Sequence, residues 1–233
     1  MTTEPPKVDC DSSNKDVVRE KLYWQTFYYE VSTIPAVPSS FCVLVATEVD
    51  QFTPIVEFGC GNGRDSGYFN SQGFKVLASD LCKEAIGKNQ EKAGLEGATF
   101  LVCDCTNEID VESLLTQAHE TGDSKTTNIV VYTRFFLHSI DKTQEQQFVI
   151  ALGKSMIQGD KIYFEFRCEL DEALSKVYGK DHYRRYVKTS EFVDFLKTVG
   201  LEIEYEMTGQ GMAKYKSEDP FVSWVIAVKR NGI

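Results

Sequence analysis

The densest run of chemically useful residues in this 233-residue chain is Glu57-Phe58-Gly59-Cys60-Gly61-Asn62-Gly63-Arg64-Asp65-Ser66. Glycines at alternate positions let a backbone turn tightly and let a ligand approach without a Cβ in the way. A dinucleotide fingerprint starting at Gly59 needs glycine at position 64, which is Arg64. Starting at Gly61 it needs glycine or alanine at position 66, which is Ser66. Glu57 would repel a pyrophosphate but would welcome an ammonium, so the loop suits a ligand with a positive amino-acid end. Asp80 lies 17 residues beyond Gly63, where a carboxylate can accept both hydroxyls of a ribose. Asp104, followed by Cys105, can accept from an adenine amino group. Each acid alone could equally cap a helix. Three of them at successive strand ends favour a ligand-binding edge.

The surrounding pattern says what must position these groups. Residues 1–11, rich in proline and charge, read as a disordered tail, residues 12–50 as an N-terminal helical lid, and residues 51–233 as the ligand-binding domain. Amphipathic spacing predicts a helix over Ser12–Glu30, and a second follows over Ser39–Val49. Short apolar strands are then expected at 54–58, 74–79, 98–103, 128–132 and 161–166, separated by helices of about ten residues. The first of those helices follows the glycines and ends near Gly73, and the others fall near 83–93, 111–120 and 143–152, the last capped by Asp141. After a helix at 190–199, stopped by Gly200, the segments 201–207 and 221–228 have no helix between them and should pair antiparallel. The expected fold is α/β: a Rossmann-like, doubly wound, mostly parallel seven-stranded sheet with a C-terminal antiparallel hairpin.

The run Glu57 to Ser66, with Asp80 and Asp104, resembles the class I S-adenosylmethionine-dependent methyltransferases. The resemblance extends from about Trp24 to the C-terminal hairpin. It implies S-adenosylmethionine as cofactor, with Glu57, Gly59, Gly61 and Gly63 at the methionine part and Asn62 and Arg64 also in contact with the cofactor. Asp80 would serve the ribose, and Asp104 and Cys105 the adenine, with Leu81 and Thr133 also on the cofactor side. Trp24, in Tyr23-Trp24-x-x-Phe27-Tyr28, matches an aromatic helix that lids the cofactor in many relatives, although a core-packing stripe has the same spacing.

In that family the edge after the fourth strand faces the transferable methyl group. Here it reads Tyr132-Thr133-Arg134-Phe135-Phe136-Leu137-His138-Ser139. Four of the seven arginines, Arg134, Arg167, Arg184 and Arg185, fall on this side, and a guanidinium fork is the preferred partner of carboxylate or phosphate. Internal pairing with Glu165, Glu169, Asp171 and Asp181 would explain them equally. The expectation is a small anionic acceptor held by Tyr28, Arg134, Arg167, His182, Tyr183, Arg184 and Arg185 and methylated at O or S rather than N. Arg134 and His138 are the catalytic candidates, His138 as a general base for a hydroxyl acceptor. Competing readings are a non-catalytic S-adenosylmethionine-binding regulator and an NAD-dependent oxidoreductase; Glu57 and Arg64 count against the latter.

Composition narrows the partners. There are 25 basic against 35 acidic residues, a net charge of −10, which argues against nucleic acid and anionic membranes. Seven scattered cysteines without CxxC spacing, and no secretory signal pattern, suggest reduced thiols in the cytoplasm and no metal site. A monomer or homodimer is expected.

Overall fold

The computed structural model describes residues 23–24, 26–27, 37–92, 95, 97–122, 128–176 and 183–230. Residues 23–24 and 26–27 are helical. The rest of the expected 12–30 helix, with Tyr28, lies outside the described residues, as does His182. Helix α1 spans Ser40–Glu48, β1 Ile55–Phe58, α2 Arg64–Ser71, β2 Val76–Asp80, α3 Lys83–Gln90 and β3 Ala98–Val102. There follow α4 (Glu108–Thr121), β4 (Val130–Arg134), α5 (Lys142–Ser155), β5 (Lys161–Arg167), α6 (Thr189–Thr198), β6 (Leu201–Gly209) and β7 (Val222–Lys229). Among the described residues no helix is long and apolar enough to cross a membrane.

The seven strands form one sheet in the order β3-β2-β1-β4-β5-β7-β6. The first five are parallel, and β7 runs antiparallel to both β5 and β6. The expected hairpin is therefore present, with β7 in the interior and β6 on the edge. Strand order reverses between β1 and β4, the switch point outside whose carboxyl ends open α/β sheets bind ligands.

The inner parallel strands β1, β2, β4 and β5 are buried on both faces, whereas the edge strand β6 is largely exposed. Val56, Phe58, Val131, Ile162, Phe164 and Phe166 face α4, α5 and α6, where Leu115, Phe148, Leu152 and Phe192 complete the core. Ile55, Val130, Tyr132 and Tyr163 face the opposite layer of α1, α2 and α3, which contributes Phe41, Val45, Phe69 and Ile86. Helix α1 is thus a layer of the fold, although residues 12–50 were expected as a lid.

Among the boundaries that differ from the sequence reading, two have local reasons. Helix α4 starts at Glu108 because the Asn107 side chain accepts the Ile109 N–H at 3.0 Å. Strand β4 is displaced toward Arg134 because the Asn128 side chain turns away to the Gln158 carbonyl and Asp160. Asp160 is fully buried and accepts from the backbone N–H of Ile129 (3.0 Å) and Ile157 (2.8 Å), and it meets His119 Nε2 at 2.9 Å. It clamps the sheet edge opposite the ligand side. Asp160→Asn keeps one acceptor and should cost about 1–2 kcal/mol in denaturant unfolding, with ligand binding unchanged.

Candidate active site

The glycine loop runs from the end of β1 into α2 with Gly59, Gly61 and Gly63 all at positive φ, +75°, +50° and +69°. Gly59 needs to be glycine for a second reason: a Cβ there would lie 2.6 Å from Cδ2 of Phe136. The loop is tied to β2 by backbone bonds from Gly59 and Cys60 to the Ser79 carbonyl, at 2.8 and 2.9 Å. Asp80 continues the tie, since its Oδ2 accepts the Gly61 N–H at 2.9 Å and its Oδ1 the Cys82 N–H at 2.8 Å. Burial pushes the Asp80 carboxyl up, opposed by these N–H donors. With the Gly61 N–H already given to a carboxylate, the loop is poorly suited to a pyrophosphate.

A cavity of about 380 Å³ opens at the carboxyl ends of β1 to β4. Of the predicted cofactor residues it is lined by Trp24, Gly59, Asp80, Leu81, Asp104 and Cys105. Asp104 also stabilises its own turn, with Oδ1 accepting from Thr106 N and Oγ1 at 3.0 and 2.6 Å. Asp80 and Asp104 therefore shape the backbone as well as facing the cavity.

Glu57, Gly61, Asn62, Gly63, Arg64 and Thr133 stand behind or beside the cavity and do not line it. Glu57 is buried and accepts from the Ser66 hydroxyl. Burial, then the nearby Asp65 charge, pushes its carboxyl from 4.5 to about 8. The folded state thus holds a proton that the unfolded state releases, so Glu57 makes stability fall as pH rises through this window. Glu57→Gln should flatten that part of the stability–pH profile between about pH 5 and 8, measured by urea unfolding, and an unchanged profile would refute the assignment.

The acceptor-side arginines are engaged within the protein. Arg134 Nε lies 2.7 Å from Glu165 Oε1, and Glu165 Oε2 accepts the Trp224 indole N–H at 2.7 Å. Arg167 pairs with Asp171 at 2.8 Å and Glu218 at 2.7 Å. Arg185 binds Glu145 and the carbonyls of Leu137 and Ile140. Of the pairings anticipated, Glu165 and Asp171 are found, and Glu218 and Glu145 are additional. The concentration of arginine at this edge is therefore first a matter of internal ion pairs. Arg184 is half-buried; burial, then the neighbouring Arg167, lowers its hold on its proton. Tyr183 is exposed.

His138 is buried in the short 3-10 turn Leu137–Ser139 and does not line the cavity. Its Nδ1 accepts the Arg167 backbone N–H at 3.4 Å, which assigns the proton of a neutral ring to Nε2. Its ring packs 5.1 Å from that of Phe135.

Phe135 and Phe136 are among the lining residues to which the sequence reading gave no role. Phe135 has φ +52°, an outlier for a bulky residue, and such strain gathers at functional sites. The Arg134 guanidinium sits 4.0 Å over its ring, so the Glu165–Arg134 pair buttresses a cavity wall. The available signal was two consecutive aromatics just past a strand end at the ligand-binding edge.

A glycine cradle backed by Phe136, acids at the ends of β2 and β3 facing one cavity, and a buried carboxyl at β1 fit a nucleoside carrying an amino acid. The fold is that of class I S-adenosylmethionine-dependent methyltransferases. It is shared with a methyltransferase from Anabaena variabilis, at a TM-score of 0.72 and 16% identity, covering 98% of this chain and 99% of that one. A TehB-like methyltransferase from Corynebacterium glutamicum matches with a TM-score of 0.59 and 15% identity, over 92% and 100% of the two chains. The glycopeptide N-methyltransferase MtfA, complexed with S-adenosylhomocysteine, matches with a TM-score of 0.61 and 13% identity, over 87% and 91%. No curated protein matches in sequence. The family model described as tellurite resistance protein TehB matches residues 18–209, most of the chain, and the protein belongs to that family. It is an S-adenosylmethionine-dependent methyltransferase.

Proposed function

We propose that the protein methylates a small-molecule acceptor at oxygen or sulfur, by in-line displacement beside Phe135. The observation that carries this reading is one cavity lined by Gly59, Asp80 and Asp104 together with the strained Phe135. S-adenosylmethionine, when bound, supplies a methyl group already activated by its sulfonium. The protein's task is then alignment and exclusion of water more than acid–base chemistry.

Each residue has a role in that task. Asp80 receives the ribose hydroxyls with the lone pairs left after its bonds to Gly61 and Cys82. Asp104 and Cys105 meet the adenine, and Leu81 and Trp24 supply apolar cover. Glu57, giving up the proton that burial favours, receives the ammonium, and Arg64 receives the carboxylate. Support for Arg64 is its place at the start of α2 beside Arg134; Asp65, 3.7 Å away, offsets part of that repulsion, and a ligand anion would offset more. By the same argument the anionic group of the acceptor meets Arg184, next to Arg167. Arg134, Arg167 and Arg185 serve by building the wall. His138 orders the Phe135 ring, since its Nδ1 is engaged, and a thiolate acceptor needs no base.

The first experiment is calorimetric titration with S-adenosylhomocysteine, with NAD as control. Dissociation constants of about micromolar for the former alone are expected. Labelled-methyl transfer is then screened on paired carboxylated and neutral thiols and alcohols, in the wild type and Arg184→Ala. A preference for the carboxylated member that disappears in Arg184→Ala supports the acceptor reading. No transfer to any member, or an unchanged preference, removes it.

A further inference from the structure

Asp65 is the most heavily engaged side chain beside the glycine loop, and the cofactor reading leaves it without a task. It is buried, the second residue of α2, with Arg64 on one side and Ser66 on the other. Its Oδ1 accepts the Ser39 backbone N–H at 2.8 Å. Its Oδ2 accepts the Ser39 hydroxyl at 2.8 Å and the Tyr132 hydroxyl at 2.9 Å. Ser39 is also the cap of α1, its Oγ accepting the Cys42 N–H at 3.0 Å. The Cys42 thiol in turn donates to the Asp65 carbonyl at 3.6 Å. One side chain thus joins α1, α2 and β4.

Folding alone does not demand a carboxylate here, because a buried charge is costly and apolar packing of similar volume often replaces it without loss. The helix dipole favours an acid in the first turn, but an exposed one would serve as well. What distinguishes the position is its neighbours. Arg64 Nε lies 3.7 Å from Asp65 Oδ1, and the Ser66 hydroxyl donates to Glu57. A shift of the first turn of α2 would move both groups together. The acids of the adenosine end, Asp80 and Asp104, stand instead at the ends of β2 and β3.

We infer that Asp65 is a positioning residue for the amino-acid end of the cofactor. By fastening the first turn of α2 to Ser39 and Tyr132, it holds Arg64, and through Ser66 the Glu57 carboxyl, where carboxylate and ammonium are received. This rests on the cofactor reading given above.

Two ligands separate this role from a purely structural one. S-adenosylhomocysteine carries both ends, whereas 5′-methylthioadenosine keeps the adenosine and the thioether but has no amino acid. Asp65→Ala should weaken the first by about tenfold or more and the second by less than about threefold, in calorimetric titration. Asp65→Asn, of the same shape, should restore most of the lost affinity. Should Asp65→Ala not fold, Ser39→Ala keeps the backbone bond and should weaken S-adenosylhomocysteine alone, by about threefold. Equal weakening of both ligands, or unchanged S-adenosylhomocysteine affinity, overturns the inference. So does wild-type protein that binds both equally well, because the amino-acid end is then not read. Wild-type protein that binds neither ligand overturns the cofactor reading itself.

Discussion

Asp80→Ala should weaken S-adenosylhomocysteine binding by at least about a hundredfold in a protein that still folds. Two losses combine in this variant. The ribose hydroxyls lose their acceptor, and the glycine loop loses the carboxylate that holds the Gly61 N–H at 2.9 Å. The Cys82 N–H at the start of α3 is freed as well. Groups that bind ligand and shape the binding loop together give larger losses than either contact alone, because the remaining contacts are displaced. Calorimetry measures the loss, and circular dichroism shows whether the fold persists. Affinity within about tenfold of wild type would exclude Asp80 as the ribose acceptor.

Glu165→Ala should produce the largest loss of stability, about 3–5 kcal/mol. The substitution leaves Arg134 buried without its partner at 2.7 Å, and it strips the Trp224 indole N–H of its acceptor. For a chain of this size the midpoint of thermal unfolding should fall by roughly 10 °C. The double variant Arg134→Met with Glu165→Ala should recover part of the loss, since removing both charges is milder than stranding one. Equal destabilisation in the double and single variants would mean that the pair carries no coupling energy. Because Arg134 lies over the Phe135 ring, acceptor-side function should fall in Glu165→Ala even where the protein remains folded.

These expectations depend on parts of the molecule that were unequally visible in the chain. The glycine loop was visible because three glycines at alternate positions just past a short apolar strand leave few other uses for the residues. Asp80 and Asp104 were visible by position, each just past a short apolar run. Their second roles, tying Gly61 and Thr106, were not visible, since those bonds depend on loop paths rather than on spacing. The arginines illustrate the opposite difficulty. Four of seven fall on one side of the sheet, which resembles an anion site, yet Glu145 and Glu218 lie far from their partners in sequence. Nothing in a linear pattern reports a pair separated by 40 or 51 residues.

Local propensity and periodicity determine the alternation of strands and helices, and with it the doubly wound class and the edge where ligand binds. Those signals lie within a few residues of each other, so the chain alone carries them. Folding decided which charges are spent on the protein itself. It seats β7 between β5 and β6, which brings Trp224 to Glu165 and so fixes Arg134. It draws Ser39 onto Asp65, 26 residues away, and makes α1 a layer of the core. It also turns Phe135 through a left-handed backbone into the cavity wall. The Phe135 N–H is held by the Glu165 carbonyl at 2.8 Å, a neighbour that only packing supplies. For the charges the reason is similar: in a buried site each must find a partner, and which partner is near is a property of packing, not of sequence order.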